Sequence, residues 1–237
     1  MNQPAALGTR STPARRPGLR GESSWRVPAA LVALTTIPLV AGSFRLLEVA
    51  GGPALLPTNP RIEASPAPLV LHVVAAAVFA VIGAFQFPAR LRRRHRTWHR
   101  RAGRVLVGAG LAVSGSGLWM TLAYPDAPGG ALLWTVRLVV GSATATCIIL
   151  GFTAIRRRDL SAHRPWMIRA YALDVAAGTQ AFTQGVGEGI FGTSDLSTAL
   201  SVTSGWVINL AVAEWIIRRP GVRRARRVQA ALAGARP

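Results

Sequence analysis

The chain has 237 residues, half of them hydrophobic, with 28 basic against nine acidic side chains and a formal charge of +19. In a soluble protein that charge points to nucleic acid. Here the apolar residues gather into blocks of about twenty, each long enough to cross a ~30 Å hydrocarbon core, and the arginines lie almost wholly between them, which excludes nucleic-acid binding and predicts an integral membrane protein.

Residues 1–26 are polar, carry Pro and Arg without periodicity, and read as a disordered basic cytosolic tail. Arg15-Arg16 lacks the closely following apolar run of a twin-arginine signal. Val27 to Phe44 is the first apolar block. Ala41-Gly42-Ser43 offers it a small-residue cleavage site, but the long leading tail and five further blocks favour a retained anchor. A Pro- and Gly-rich connection, Arg45 to Pro68, precedes Leu69–Ala89, Ala102–Tyr124, Ala131–Ile155, Trp166–Gly187 and Leu196–Ile217. In hydrocarbon only a helix satisfies all its own backbone groups, so each block is expected to be one. The fold class is therefore all-α: a polytopic membrane bundle of six transmembrane helices over residues 27–217, followed by a basic cytosolic tail, 218–237.

Arginine sets the orientation. The two tails, the 90–104 connection and the 156–169 region hold 25 of the 28 arginines. The three alternate connections hold Arg45 and Arg61 against Glu48, Glu63, Asp126, Glu188 and Asp195. The positive-inside rule then puts both termini in the cytosol, and the arginine-only composition, with no lysine, fits the inner membrane of a bacterium. The single cysteine, Cys147, allows no intrachain disulfide.

A spacing repeats inside the basic connections. Arg92-Arg93-Arg94, four residues, then His99-Arg100 returns 64 residues later as Arg156-Arg157-Arg158, four residues, then His163-Arg164. This predicts a duplicated two-helix unit with a histidine at the entrance of each outward-running helix.

Within the blocks, His72 lies roughly 5 Å and Arg137 roughly 9 Å below the outer boundary at ~1.5 Å per residue. Asp174, Ala181 and Glu188 recur every seven residues beside Gly178, Gln184 and Gly185, a narrow face expected to point into the bundle. An Arg137–Asp174 pair would offset the cost of two intramembrane charges, ~2.5–3.5 kcal/mol each. Arg137, Asp174, Gln184, Glu188 and Gln86 thus form a candidate intramembrane polar path. Met120 lies at the depth of His72, and a lone histidine there serves as a hydrogen-bonded packing residue or, with Met120, as an outer ligand pair. Glu214 reads as an i, i+4 partner of Arg218.

At the cytosolic mouth, arginines against anionic headgroups gain ~1 kcal/mol per charge, so the bilayer and its anionic lipids are the partners expected first. That gain does not account for two histidines held at one spacing. His99 and His163, with Arg100, Arg104, Arg164 and Arg169, form a candidate cofactor site. Two imidazoles are axial ligands suited to haem b, and arginine welcomes haem propionates, a quinone head or phosphate. A metal site is not expected, because Asp159 is the only carboxylate in these loops.

The quoted residues carry a resemblance. His72, Gln86-Phe87, His99-Arg100, Gly103-Arg104, Arg156-Arg157-Arg158-Asp159, His163-Arg164, Trp166-Met167-Ile168-Arg169 and Tyr171 are similar to the bacterial predicted membrane proteins of domain-of-unknown-function family twenty-three-oh-six. The likeness covers a core from residue 69 to 187. It implies a topology and a motif but no reaction. At Thr179-Gln180 the chain departs from the Leu-Arg pair of many relatives.

Three functions follow as expectations. The first is a haem- or quinone-linked membrane redox protein. The second is a small transporter or proton-coupled channel using the intramembrane His, Arg and Asp residues. The third is a non-catalytic assembly factor. No P-loop, HExxH or dinucleotide fingerprint is present.

Overall fold

The computed structural model of the chain describes residues 25–57, 59–124 and 128–219. Apart from Trp25, Arg26, Arg218 and Arg219, the tails expected at 1–26 and 218–237 lie outside the described residues. The described fold is wholly helical. It comprises α1 (Arg26–Val49), α2 (Pro60–Ala64), α3 (Ala67–Ala84), α4 (Ala89–Arg94), α5 (Arg96–Ala123), α6 (Gly130–Arg156), α7 (Leu160–Asp174), α8 (Ala176–Phe191) and α9 (Asp195–Arg218). α1, α3, α5, α6 and α9 are each long and apolar enough to cross a membrane. Ala41-Gly42-Ser43 sits inside α1, where Gly42 packs against Val73 of α3.

The sixth block is not one helix. It divides at Val175, between α7 and α8, with no proline at the break. Val175 N–H still reaches the Tyr171 carbonyl at 3.0 Å, but Gly178 N–H turns to the Val175 carbonyl at 3.1 Å, an i to i+3 bond. Such a tightened turn bends a helix. The cause of the approach is at Gly178, where an added Cβ would overlap the Leu34 carbonyl oxygen of α1. Two backbones meet there because no side chain stands between them.

The two basic connections fold differently. Between α3 and α5 the chain forms α4 and then a single non-helical residue, His95. Between α6 and α7 it makes a tight turn: Arg158 adopts φ 62°, its N–H bonds the Ile155 carbonyl (3.0 Å), and Asp159 N–H bonds that of Ala154 (2.9 Å). This is a Schellman closure with arginine in the left-handed position usually given to glycine. Asp159 then caps α7, its Oδ1 accepting from the N–H groups of Ser161 and Ala162, each at 2.9 Å. α5 begins at Arg96 and α7 at Leu160, so His99 and His163 are each the fourth residue of their helix.

Connections collect at two ends of the bundle. At the arginine-poor end, Tyr124 Oη donates to the Ser65 carbonyl (2.5 Å), Gly129 N–H to Asp195 (2.9 Å), and Arg45 pairs with Glu48 (2.6 Å). At the basic end Trp25 stacks edge-on with Phe85, and Arg219 lies over Trp215. The main core joins Phe79, Ala80 and Ala84 of α3 to Leu106, Cys147, Ile148, Ala170, Tyr171 and Val175. Gly110 of α5 lets it close, since a Cβ there would stand 2.5 Å from Ile148 and 2.7 Å from Phe79. Val105, Leu122, Val139, Ile190 and Val207 point outward and exposed, as a lipid-facing surface requires.

Candidate functional site

Where α3 ends, its last carbonyls lack helical partners. The N–H groups of Phe85 and Gln86 take the Ile82 and Gly83 carbonyls, and Arg92 turns back from α4 to two further along, donating Nη1 to the carbonyls of Phe87 (2.7 Å) and Gln86 (3.3 Å). This guanidinium is half-buried, and burial, then Arg164, then Arg93, lowers its pKa below the ordinary arginine value. Beside this anchor the Gln86 amide is enclosed, and neither its Nε2 nor its Oε1 finds a partner. Native proteins rarely leave buried polar atoms unsatisfied, so each such atom calls for an explanation.

His99 also buries Nδ1 without a partner, and the charges of Arg92 and His163 act on its ring. His163 is oriented: Nδ1 lies 2.8 Å from the Gly151 carbonyl. A carbonyl only accepts, so Nδ1 carries a proton, and in the neutral ring Nε2 is the nitrogen that keeps its lone pair. Arg92 thus links Gln86 and His99 at the basic end: it bonds the Gln86 backbone and, with His163, acts on the His99 ring. Arg164 is exposed but acts electrostatically on Arg92. Arg100 and Arg104 remain on the exposed surface of α5. Arg169 is engaged elsewhere: its Nε bonds Glu214 of α9 at 2.5 Å and its guanidinium stands over Trp166. Glu214 holds Arg218 as well, at 3.2 Å. The sequence reading found the i, i+4 half of that arrangement and missed the interhelical half.

At the other end, His72 is tied to α5 through one ring nitrogen. Its Nδ1 is 3.1 Å from both the Val113 carbonyl and Ser116 Oγ of α5. Ser116 donates to the Ala112 carbonyl (2.6 Å), so its oxygen accepts from the imidazole. Met120 is half-buried one turn beyond Ser116.

The expected polar path does not form one line. The ion pairs among the described residues are Arg45–Glu48, Arg169–Glu214 and Arg218–Glu214. An Arg137–Asp174 pair is not among them. The two residues lie on α6 and α7 at depths on the order of 9 Å apart. Asp174, half-buried, has no hydrogen-bond or ion-pair partner among the described residues, whereas Arg137 does have a partner. Glu188 is exposed rather than inward-facing, because α8 follows its own register after the break, and Gln184 is half-buried. A polar ladder takes the inward role instead. Thr179 Oγ1 donates to Asn209 Oδ1 (2.7 Å), Gln180 Nε2 to the Val202 carbonyl (3.1 Å) and Thr183 Oγ1 to that of Ser201 (2.7 Å). The departure at Thr179-Gln180 is thus part of the α8–α9 seam. A lone Asn209 in the last apolar block was its sequence signal.

No group of three or more His, Cys, Asp or Glu side chains placed to hold a metal occurs among the described residues. No curated protein and no solved structure matches the chain. The model of a family described as predicted membrane protein (DUF2306) matches residues 69–217, from the first turn of α3 to the end of α9. That is more than half of the chain, and it includes the whole Gln86, His99 and His163 group. The chain belongs to this family of membrane proteins.

Proposed function

We propose that the group at the basic end binds the head of a membrane quinone, making this a quinone-linked membrane protein. The observation that carries the reading is the unsatisfied trio of Gln86 Nε2, Gln86 Oε1 and His99 Nδ1. A quinone offers two carbonyl acceptors, and a quinol two hydroxyl donors. Gln86 serves either form, and His163, with Nδ1 committed to Gly151, presents Nε2 as an acceptor for a quinol hydroxyl. Haem fits less well. A ligating imidazole gives its second nitrogen to an acceptor, which His163 does and His99 does not.

A soluble short-chain quinone titrated into the purified protein is expected to bind, and Gln86→Leu or His163→Leu to weaken it at least about tenfold, the loss of one or two buried hydrogen bonds. Gln86→Leu is expected to stabilise the ligand-free protein by about 1 kcal/mol or more, because it removes two unsatisfied buried atoms. A Soret band lost in both His99→Ala and His163→Ala would replace the quinone with haem b.

In this reading the α7–α8 pair makes the sixth crossing, both termini are cytosolic, and the basic end lies against anionic headgroups of a bacterial inner membrane. Activity is expected from cytosolic reporters fused after Arg94 and Arg158 but not after Gly129 and Ser194. The opposite result at two of the four sites refutes this orientation.

One observation favours a second reading. Asp174 stands unpartnered at the break of a helix, and discontinuous helices with such carboxylates line transport sites. Asp174→Asn abolishing proton uptake by loaded vesicles would favour coupled transport.

A further inference from the structure

A second feature at the basic end lies apart from the Gln86 group. A cleft of about 220 Å³ opens between the start of α1 and the α3–α4 connection. Its base is apolar: Trp25 and Phe85, in edge contact with ring centroids 5.9 Å apart, with Pro28 and Leu91 beside them. Around them stand two cations, Arg90 and Arg94, and the imidazole of His95.

Two details give this cleft a chemistry. Arg90 and Arg94 are four apart on α4, so their like charges sit on one face of a short helix and repel. No acidic side chain among the described residues engages Arg90, Arg94 or His95. Arginines of a helix end usually satisfy each other through an anion or through acids; here the acids are missing and the forks remain exposed. The level of the base is the second detail. Trp25 immediately precedes α1 and Phe85 immediately follows α3, so both mark the depth at which the apolar spans begin. Aromatic side chains at that depth pack against the glycerol and first methylenes of a lipid. The volume falls below the ~300–1,000 Å³ of a site enclosing a whole small-molecule ligand, so it fits a headgroup whose chains continue outside.

We propose that this cleft is a binding site for an anionic phospholipid, with the phosphate held by Arg90, Arg94 and His95 and the first apolar atoms seated on Phe85 and Trp25. The site uses none of the residues assigned to the quinone and stands independently of that reading.

The test uses the full chain in neutral detergent, titrated with fluorescent phosphatidylglycerol, with zwitterionic phosphatidylcholine as the competitor of no net charge. Arg90→Gln/Arg94→Gln is compared with Arg156→Gln/Arg157→Gln, which removes the same charge from an exposed part of the other basic connection. All four positions are exposed, so both variants keep the fold. The expected result is an affinity loss of roughly thirtyfold in the first variant and under threefold in the second, reflecting two surface charges at a defined site. Equal losses in the two variants, or no loss in either, would overturn the site in favour of a diffuse basic surface. Inorganic phosphate at 10 mM is the second arm, a concentration on the order of a weak millimolar anion site. It is expected not to displace the lipid. Displacement that depends on Arg90 and Arg94 would overturn the lipid assignment in favour of a soluble phosphate site.

Discussion

Gly178→Ala is expected to destabilise the bundle by about 3 kcal/mol or more, at or above the upper end of the usual overpacking range. Most glycine-to-alanine changes inside a helix stabilise it by up to ~1 kcal/mol. At Gly178 the sign reverses because the new methyl overlaps a backbone carbonyl, that of Leu34, which no rotamer change can move. α1 must shift away from α8, and with it the contact that accompanies the bend at Val175. Gly185, on the same helix, supplies the control: nothing lies within 4 Å of its added Cβ. Thermal unfolding in detergent should therefore separate the two variants, with Gly178→Ala losing stability and Gly185→Ala keeping or gaining it. Similar behaviour of the two would show that the α1–α8 approach is not what limits packing.

Phe79→Ala is the second large expectation. Phe79 is 1% exposed and meets Ile148, Gly110 and Tyr171 at the centre of the main core. Truncating a core Phe in a soluble protein costs ~3–5 kcal/mol. In a bilayer the unfolded reference is also apolar, so the loss is mainly of dispersion contacts, and about 3 kcal/mol is expected. A Cβ on Gly110 would stand 2.5 Å from Ile148 Cδ1 and 2.7 Å from the Phe79 ring, so Phe79→Ala/Gly110→Ala should recover part of the loss as Ile148 turns into the space the ring leaves. A double-mutant cycle measured by unfolding in mixed micelles reads that coupling. Strict additivity would mean that the cavity collapses by some route other than α5.

Much of this architecture was legible in the chain. Long apolar runs separated by arginine clusters leave little freedom, so the ends of α1, α3, α5, α6 and α9 fall within six residues of the expected blocks. The break at Val175 was not legible. No proline marks it, and it depends on Gly178 meeting Leu34, 144 residues earlier in the chain. Among Arg92, Arg93 and Arg94 the sequence offers no reason to choose. The phase of α4 selects Arg92 to reach the end of α3, and that choice makes it, rather than Arg100 or Arg104, the arginine beside His99. Arg169 shows the same limit from the other side. Its position in the motif recommended it for a ligand site, whereas a glutamate 45 residues later takes it up. Gln86 was visible as a polar residue at a membrane boundary, but only packing shows that its amide is enclosed and unpartnered.

The last helix acts as a splint across the broken one. On one side of Val175, Glu214 grips Arg169 of α7, and Asn209 donates to the Ala172 carbonyl (3.1 Å). On the other side the same Asn209 accepts from Thr179 of α8, and the Val202 and Ser201 carbonyls take Gln180 and Thr183. Asn209 therefore bridges the fracture by itself, one amide holding both fragments at a fixed angle. Any motion that changed this angle would have to exchange hydrogen bonds along α9 in register, so the two halves are geared to each other through a helix that neither contains.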